Sequence, residues 1–191
     1  VLIQDFDKIV LKYLKRKIIE RKGRLISIRP TPIALYLINE WIEQCTDARL
    51  LAVIKAIQDS DIAKALTDSF ADQFRYMGHI EKARMMLNEL LGESSPFGNA
   101  EVINTDLGSR LFRSFVEVNP EAVANCLWSV IGKCKVNDLR LIDDGRRNLV
   151  WTMEKVCFEP RTFERGAEMM LLLALAENEG ISNNATGQFT A

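Results

Sequence analysis

"GRLISIRPTPIALYLINEWIEQC", residues 23–45, decides how this chain is read, because it passes from a short β-like run through two prolines into an amphipathic helix. Upstream of it, "KIIER" is a second short run, and Lys22-Gly23 between the two reads as a two-residue hairpin turn whose glycine supplies a positive φ. Pro30 and Pro32 end the second strand, since proline brings no N–H to a ladder. Thr31 and Pro32 then read as N-cap and first residue of a helix over 32–44, with Ile33, Tyr36, Leu37 and Trp41 on its apolar side.

On the N-terminal side, "DFDKIVLKYLK" (5–15) predicts a helix with Phe6, Ile9, Val10, Tyr13 and Leu14 on one face and Lys8, Lys12 and Lys15 opposite. This opening region is basic. Residues 1–29 hold nine Lys or Arg against Asp5, Asp7 and Glu20, whereas the whole chain carries a net charge of −1, so the remainder is acidic. A basic helix followed by a basic hairpin is how a winged helix offers a recognition helix and a wing to DNA phosphates, which makes Lys12, Lys15, Arg16, Lys22 and Arg24 candidates for nucleic-acid contact. A solvated face, or a docking surface for an acidic neighbouring domain, is the other reading of the same residues. No aromatic, Asn or Gln stands ready to read bases.

Downstream, the pattern is helical throughout. Asp47 reads as the cap of "ARLLAVIKAIQ", Ser60 or Asp61 as the start of "IAKALTDSFADQFRYM", and "HIEKARMMLNELLG" closes at Gly92. Two polar stretches, 93–106 and 133–145, read as loops. Between and after them lie "LGSRLFRSFV", "NPEAVANCLWSVIG" with Asn119 as cap and Pro120 at the first position, "RRNLVWTMEKVCF", and "RTFERGAEMMLLLALAENE". Nothing recurs in the residues at a fixed period. The expected fold is mainly α: a small winged-helix-like β-hairpin over 1–45, then an irregular antiparallel helical array, α-solenoid-like, over 46–191. Trp41, Trp128 and Trp151 sit on apolar helix faces and are expected to be substantially buried. The almost wholly apolar run 169–175 predicts cover on more than one side, with an uncovered patch near Leu172, Ile181 and Phe189 that favours self-association.

Candidate chemistry is sparse. His79 is the sole histidine, and its place at a helix start suits an ordinary boundary residue. Cys45, Cys126, Cys134 and Cys157 form no C-x-x-C pair, so reduced, buried thiols of a cytoplasmic protein are expected, with no metal and no cofactor. The pairs Asp59/Asp61, Asp143/Asp144 and Glu177/Glu179 fall at helix ends or in polar loops, where carboxylates commonly cap. No G-x-S-x-G, H-E-x-x-H or P-loop sequence occurs, and no apolar run is long enough for a membrane span. The expectation is a non-enzyme. Asn99, Asn104, Arg146, Arg147, Asn183 and Asn184 lie in the polar stretches or at their margins and are candidate partner-binding residues, since loops on a rigid scaffold often carry contacts.

Taken together, the basic helix, the Lys-Gly hairpin, "IRPTPIALYL" and the array after it resemble the region following the ATPase core in bacterial STAND-type P-loop NTPases, antiviral ones included. "GSRLFRSFVEVNPEA", "GRRNLVWTMEKVCF" and "LALAENEGISNNATGQF" are similar to segments of such multidomain proteins. The resemblance implies a winged-helix remnant that packs on a nucleotide-binding domain, and an array that senses a target and controls oligomerisation. It implies that this chain is a piece of a longer protein, consistent with a start that lacks Met, and that the Walker motifs lie outside it. The partners it implies are proteins or neighbouring domains of the same chain; a winged-helix DNA-binding regulator is the alternative.

Overall fold

The computed structural model describes residues 3–23, 25–92 and 96–177. It is mainly helical with one small antiparallel hairpin, and it divides into two compact units, Val1–Gln44 and Cys45–Ala191.

In the first unit, α1 (Ile3–Lys15) leads into β1 (Ile19–Lys22) and β2 (Leu25–Ile28), followed by α2 (Thr31–Gln44). Lys17 takes a positive φ of 57° to turn the chain out of α1. Register pairs Ile19 with Ile28 and Lys22 with Leu25, so the hairpin turn falls one residue later than the Lys22-Gly23 expected, with Gly23 at φ 60° as its first residue. α2 also begins earlier. The carbonyl of Pro30 receives the first helical bonds, from Ile33 and Ala34, so Thr31 lies inside the helix and is not its cap.

Burial in this unit departs from the expected faces. Among its described residues only Val10, Ala34 and Ile42 are buried, while Phe6, Ile9, Tyr36 and Leu37 remain exposed. The apolar side of α2 runs through Ala34, Ile38 and Ile42 instead of Ile33 and Leu37. A mixed sequence with apolar residues at nearly every position of "IALYLI" leaves the face undetermined by period alone.

The second unit is built from nine α-helices among the described residues: α3 (Asp47–Gln58), α4 (Ala63–Phe74), α5 (Glu81–Leu90), α6 (Ala100–Ile103), α7 (Asp106–Phe115), α8 (Pro120–Ile131), α9 (Val136–Leu139), α10 (Arg146–Phe158) and α11 (Phe163–Leu175). Both stretches read as plain loops contain a short helix, α6 and α9. α4 begins at residue 63, α7 at 106 and α10 at 146, so that helix returns after 43 and then 40 residues; α5, α8 and α11 begin at 81, 120 and 163 and return at similar intervals. Intervals of about 40 residues fall within the range of helical repeats.

α7 touches both α4 and α10, and residue numbers rise together across both seams, so the three run parallel. Asp68 meets Arg110 and Phe74 meets Phe115 across one seam, while Asn148 donates to Ser109 Oγ at 2.9 Å and Arg113 sits over Trp151 across the other. α11 packs on α10 and touches α8; Arg146 reaches the Leu173 carbonyl while Gly166 closes on Val156 and Cys157, so α10 and α11 run antiparallel. Phe74, Phe97, Phe112 and Phe115 form edge-to-face contacts in the core, with Leu127, Leu149 and Met153 fully buried. Asn119 caps α8 as expected, accepting from the Ala122 N–H and donating to the Arg84 carbonyl, which also ties α8 to α5. Thr46, not Asp47, caps α3, because its hydroxyl accepts from the Arg49 N–H.

All three tryptophans are half-buried, each mostly covered with part of its surface still open. An indole on a helix face is large enough to cover the core with one edge and meet solvent with the other. Likewise the apolar run on α11 is not covered all round: Met169, Met170 and Leu173 are buried, Leu172 is half-buried, and Leu171 and Leu175 stand exposed. Ile181 and Phe189 lie outside the described residues.

Candidate functional site

A cleft of about 860 Å³ opens across the exposed face of the α4–α7–α10 layer. Its lining is charged: six acidic side chains stand against six basic ones, so as a whole it is neutral and unsuited to a polyanion. Because the three helices are parallel, their starts gather Asp106, Asp143 and Asp144 at one rim, and their ends bring Arg75, Arg113 and Lys155 to the other. Acids at N-termini and cations at C-termini complement the helix dipoles, which accounts for part of this arrangement. It also gives the cleft an acidic and a basic end.

Several of these charges are spent on structure. Arg110 donates to Asp106 at 2.9 Å and to Asp68, joining α7 to α4; hydrogen bonding by Asp106, then by Asp68, holds its guanidinium above its ordinary pKa despite partial burial. Lys155 pairs with Glu117. Its ammonium is nevertheless lowered below the ordinary lysine value, first by burial and then by the fields of Arg113 and Arg75. Arg75 reaches Asp72 at 3.9 Å and the Tyr76 hydroxyl at 3.1 Å. Arg113 has its guanidinium carbon 4.1 Å from the centre of the Trp151 ring.

Arg146 is a correction. Expected as a partner-binding residue, it is 5% exposed and donates from Nε to the Ile142 carbonyl, from Nη2 to Leu139 and from Nη1 to Leu173, with Glu177 at 3.9 Å. Burial pushes its pKa down while Glu177 opposes the shift. The side chain staples the α9 turn to α10 and α11. Asn104 is a second correction: its carbonyl oxygen accepts from the N–H groups of Asp143 (2.9 Å) and Gly145 (3.3 Å), and its amide donates to Leu141 (3.0 Å). Both are consumed by backbone, as polar residues in tight connections commonly are.

Asn99 caps α6, accepting from the Glu101 N–H at 2.9 Å. Arg147 is exposed and lines the cleft, as the buried Arg146 beside it also does. Asn183, Asn184 and Glu179 lie outside the described residues, as does Arg24. Lys12, Lys15, Arg16 and Lys22 are exposed. Within the hairpin, Glu20 binds Arg29, lies 3.6 Å from Lys22 and accepts from Ser27, and the Arg29 contact chiefly holds its carboxyl below the usual range. That carboxylate offsets one of the four positive charges carried by Arg21, Lys22, Arg24 and Arg29.

His79 is exposed and its Nδ1 lies 2.9 Å from the Tyr76 carbonyl, to which it donates in the matching tautomer. Cys45 and Cys126 are buried and Cys134 and Cys157 half-buried, all free; burial pushes every thiol up, Cys126 to about 11. Among the described residues no group of three His, Cys, Asp or Glu is placed to hold a metal ion, and no helix is long and apolar enough to cross a membrane. Sequence reasoning missed the cleft because Asp68, Arg75, Arg113, Trp151 and Lys155 come from three segments; the one available signal was that "LTDSFADQFR" and "SRLFRSFVE" both place charges at 3,4 spacing opposite phenylalanines. No protein-family model, curated protein or solved structure matches this chain.

Proposed function

We infer that this chain is a non-catalytic protein-interaction segment whose α4–α7–α10 face receives an extended stretch of a partner protein, and that it serves as the sensor or scaffold part of a STAND-type NTPase. The observation that carries the first half is the cleft itself. It crosses three successive repeat positions, is neutral overall and is polarised between its ends, which suits a mixed-charge polypeptide lying across the layer. The second half rests on the sequence resemblance and on the order of basic helix, hairpin and array.

The test is a peptide array covering varied charge patterns, probed with the wild-type chain and with Asp143→Asn/Asp144→Asn. Support is a set of peptides bound by the wild type and lost by the variant at unchanged helical circular dichroism. Peptide binding indifferent to the variant removes the cleft from the reading. Binding only to duplex DNA, steeply weakened by salt and lost in Lys12→Gln/Lys15→Gln/Arg16→Gln, replaces it with the DNA-regulator alternative. The STAND context is tested separately by the reading frame that precedes Val1, where a P-loop supports it and its absence from a full-length gene counts against it.

A further inference from the structure

Arg113 is anchored but unsated. Its guanidinium lies over Trp151, and among the described residues it has neither a carboxylate partner nor a hydrogen-bond acceptor. A guanidinium over an indole is worth about 0.5–1 kcal/mol at such a surface and restrains the side chain, so it loses less entropy on binding than a free arginine would. A cation serving only the dipole of α7 would turn to the last carbonyls of that helix; this one lies on the neighbouring helix instead.

Around it the charges do not cancel. Arg75, Arg113 and Lys155 share this end with Asp72 and Glu117, which leaves one positive charge in excess. The convergence is close enough for Arg113 and Arg75 to act electrostatically on Lys155. One excess charge fits a monoanion. A phosphate dianion would overfill it, and the carboxylates of Asp72 and Glu117 would repel its second charge.

We propose that the Arg113–Trp151 pair, flanked by Arg75 and Lys155, is a receptor for a single carboxylate, the side chain of a Glu or Asp in a partner polypeptide; this rests on the reading of the cleft as a protein-binding groove. The Arg113 fork donates two parallel hydrogen bonds to the incoming carboxylate, and Lys155 and Arg75 supply charge at its sides. The acidic rim at Asp143 and Asp144 then orients the partner by accepting a basic residue at the far end.

The experiment follows the Trp151 indole N–H resonance of the full chain, assigned by Trp151→Phe, during titration with a blocked five-residue peptide carrying one glutamate between glycine pairs. The same peptide with glutamine is the control, and inorganic phosphate is a second probe. A saturable shift with the glutamate peptide, none with glutamine, and affinity weakened about tenfold in Arg113→Gln is the expected result. Arg113→Lys, which keeps charge without the fork, is expected to weaken it severalfold. No Trp151 shift, equal shifts from both peptides, unchanged affinity in Arg113→Gln, or tighter Arg113-dependent binding of phosphate overturns the proposal. If these fail while array peptides still depend on Asp143 and Asp144, the carboxylate receptor falls and the groove stands; if neither end matters, both fall.

Discussion

At the scale of single residues, polar groups placed inside helices decide the local outcome. Thr67 on α4 is fully buried and its hydroxyl has no hydrogen-bond partner among the described residues, although a helical threonine can often bond back along its own helix. Burying a lone hydroxyl costs about 1–3 kcal/mol. Thr67→Val keeps the shape and removes that cost, so it should raise stability by about 1 kcal/mol, read as a higher urea midpoint at constant slope. A lower midpoint would mean that the hydroxyl has a partner after all. Cys126 acts through pH. Its thiol is raised from 9.0 to about 11 in the fold by burial, so on raising the pH the unfolded chain releases this proton first and binds fewer protons. The stability held at and below pH 9 should therefore decline between pH 9 and 11, and Cys126→Ala should flatten that limb in urea unfolding measured across the range.

Elements carry the next level of the argument, and here the sequence was legible where chemistry was local. Asn119-Pro120 announces the start of α8, because an N-cap needs a side chain that accepts from the first turn. Arg146 and Asn104 were misread because their partners lie on other elements, out of reach of any local pattern. The cleft was invisible for the same reason: three helices contribute to it, and only their parallel register joins Asp68 to Arg110 and Arg113 to Trp151. Gly145 shows how tightly that register is held. A side-chain carbon there would run into the carbonyl of Ile103 and the backbone of Asn104, so the α9–α10 connection can approach α6 only through a glycine. Gly145→Ala should cost about 1–3 kcal/mol in urea unfolding, as overpacking against backbone does. It should also broaden the Asp143 and Asn104 amide resonances, since the bonds from Asn104 depend on the approach. An unperturbed spectrum would show that the connection has slack.

For the whole molecule, the unequal burial of the two units sets the order in which they open. The second unit encloses Phe112, Phe115, Leu127, Leu149 and Met153 completely, and its layers are stitched by Arg146 and Asn119. The first has a two-stranded hairpin and a helix of 13 residues, Ile3–Lys15, each marginal alone in water. Of its described residues only Val10, Ala34 and Ile42 are buried. Local opening free energy follows buried apolar contact, so the two units should not share one transition. Hydrogen exchange at neutral pH is therefore expected to empty the β1 and β2 amides first, with α1 close behind. Those of α7, α8 and α10 should survive longest, exchanging only through opening of the second unit. In urea the exchange of the hairpin should be nearly independent of denaturant, whereas that of α7 should rise with the full slope of unfolding, because only the latter exposes a large surface. Equal protection across both units, lost together with one slope, would show that 1–44 draws its stability from the rest of the chain and would overturn the division at residue 44 as an energetic boundary.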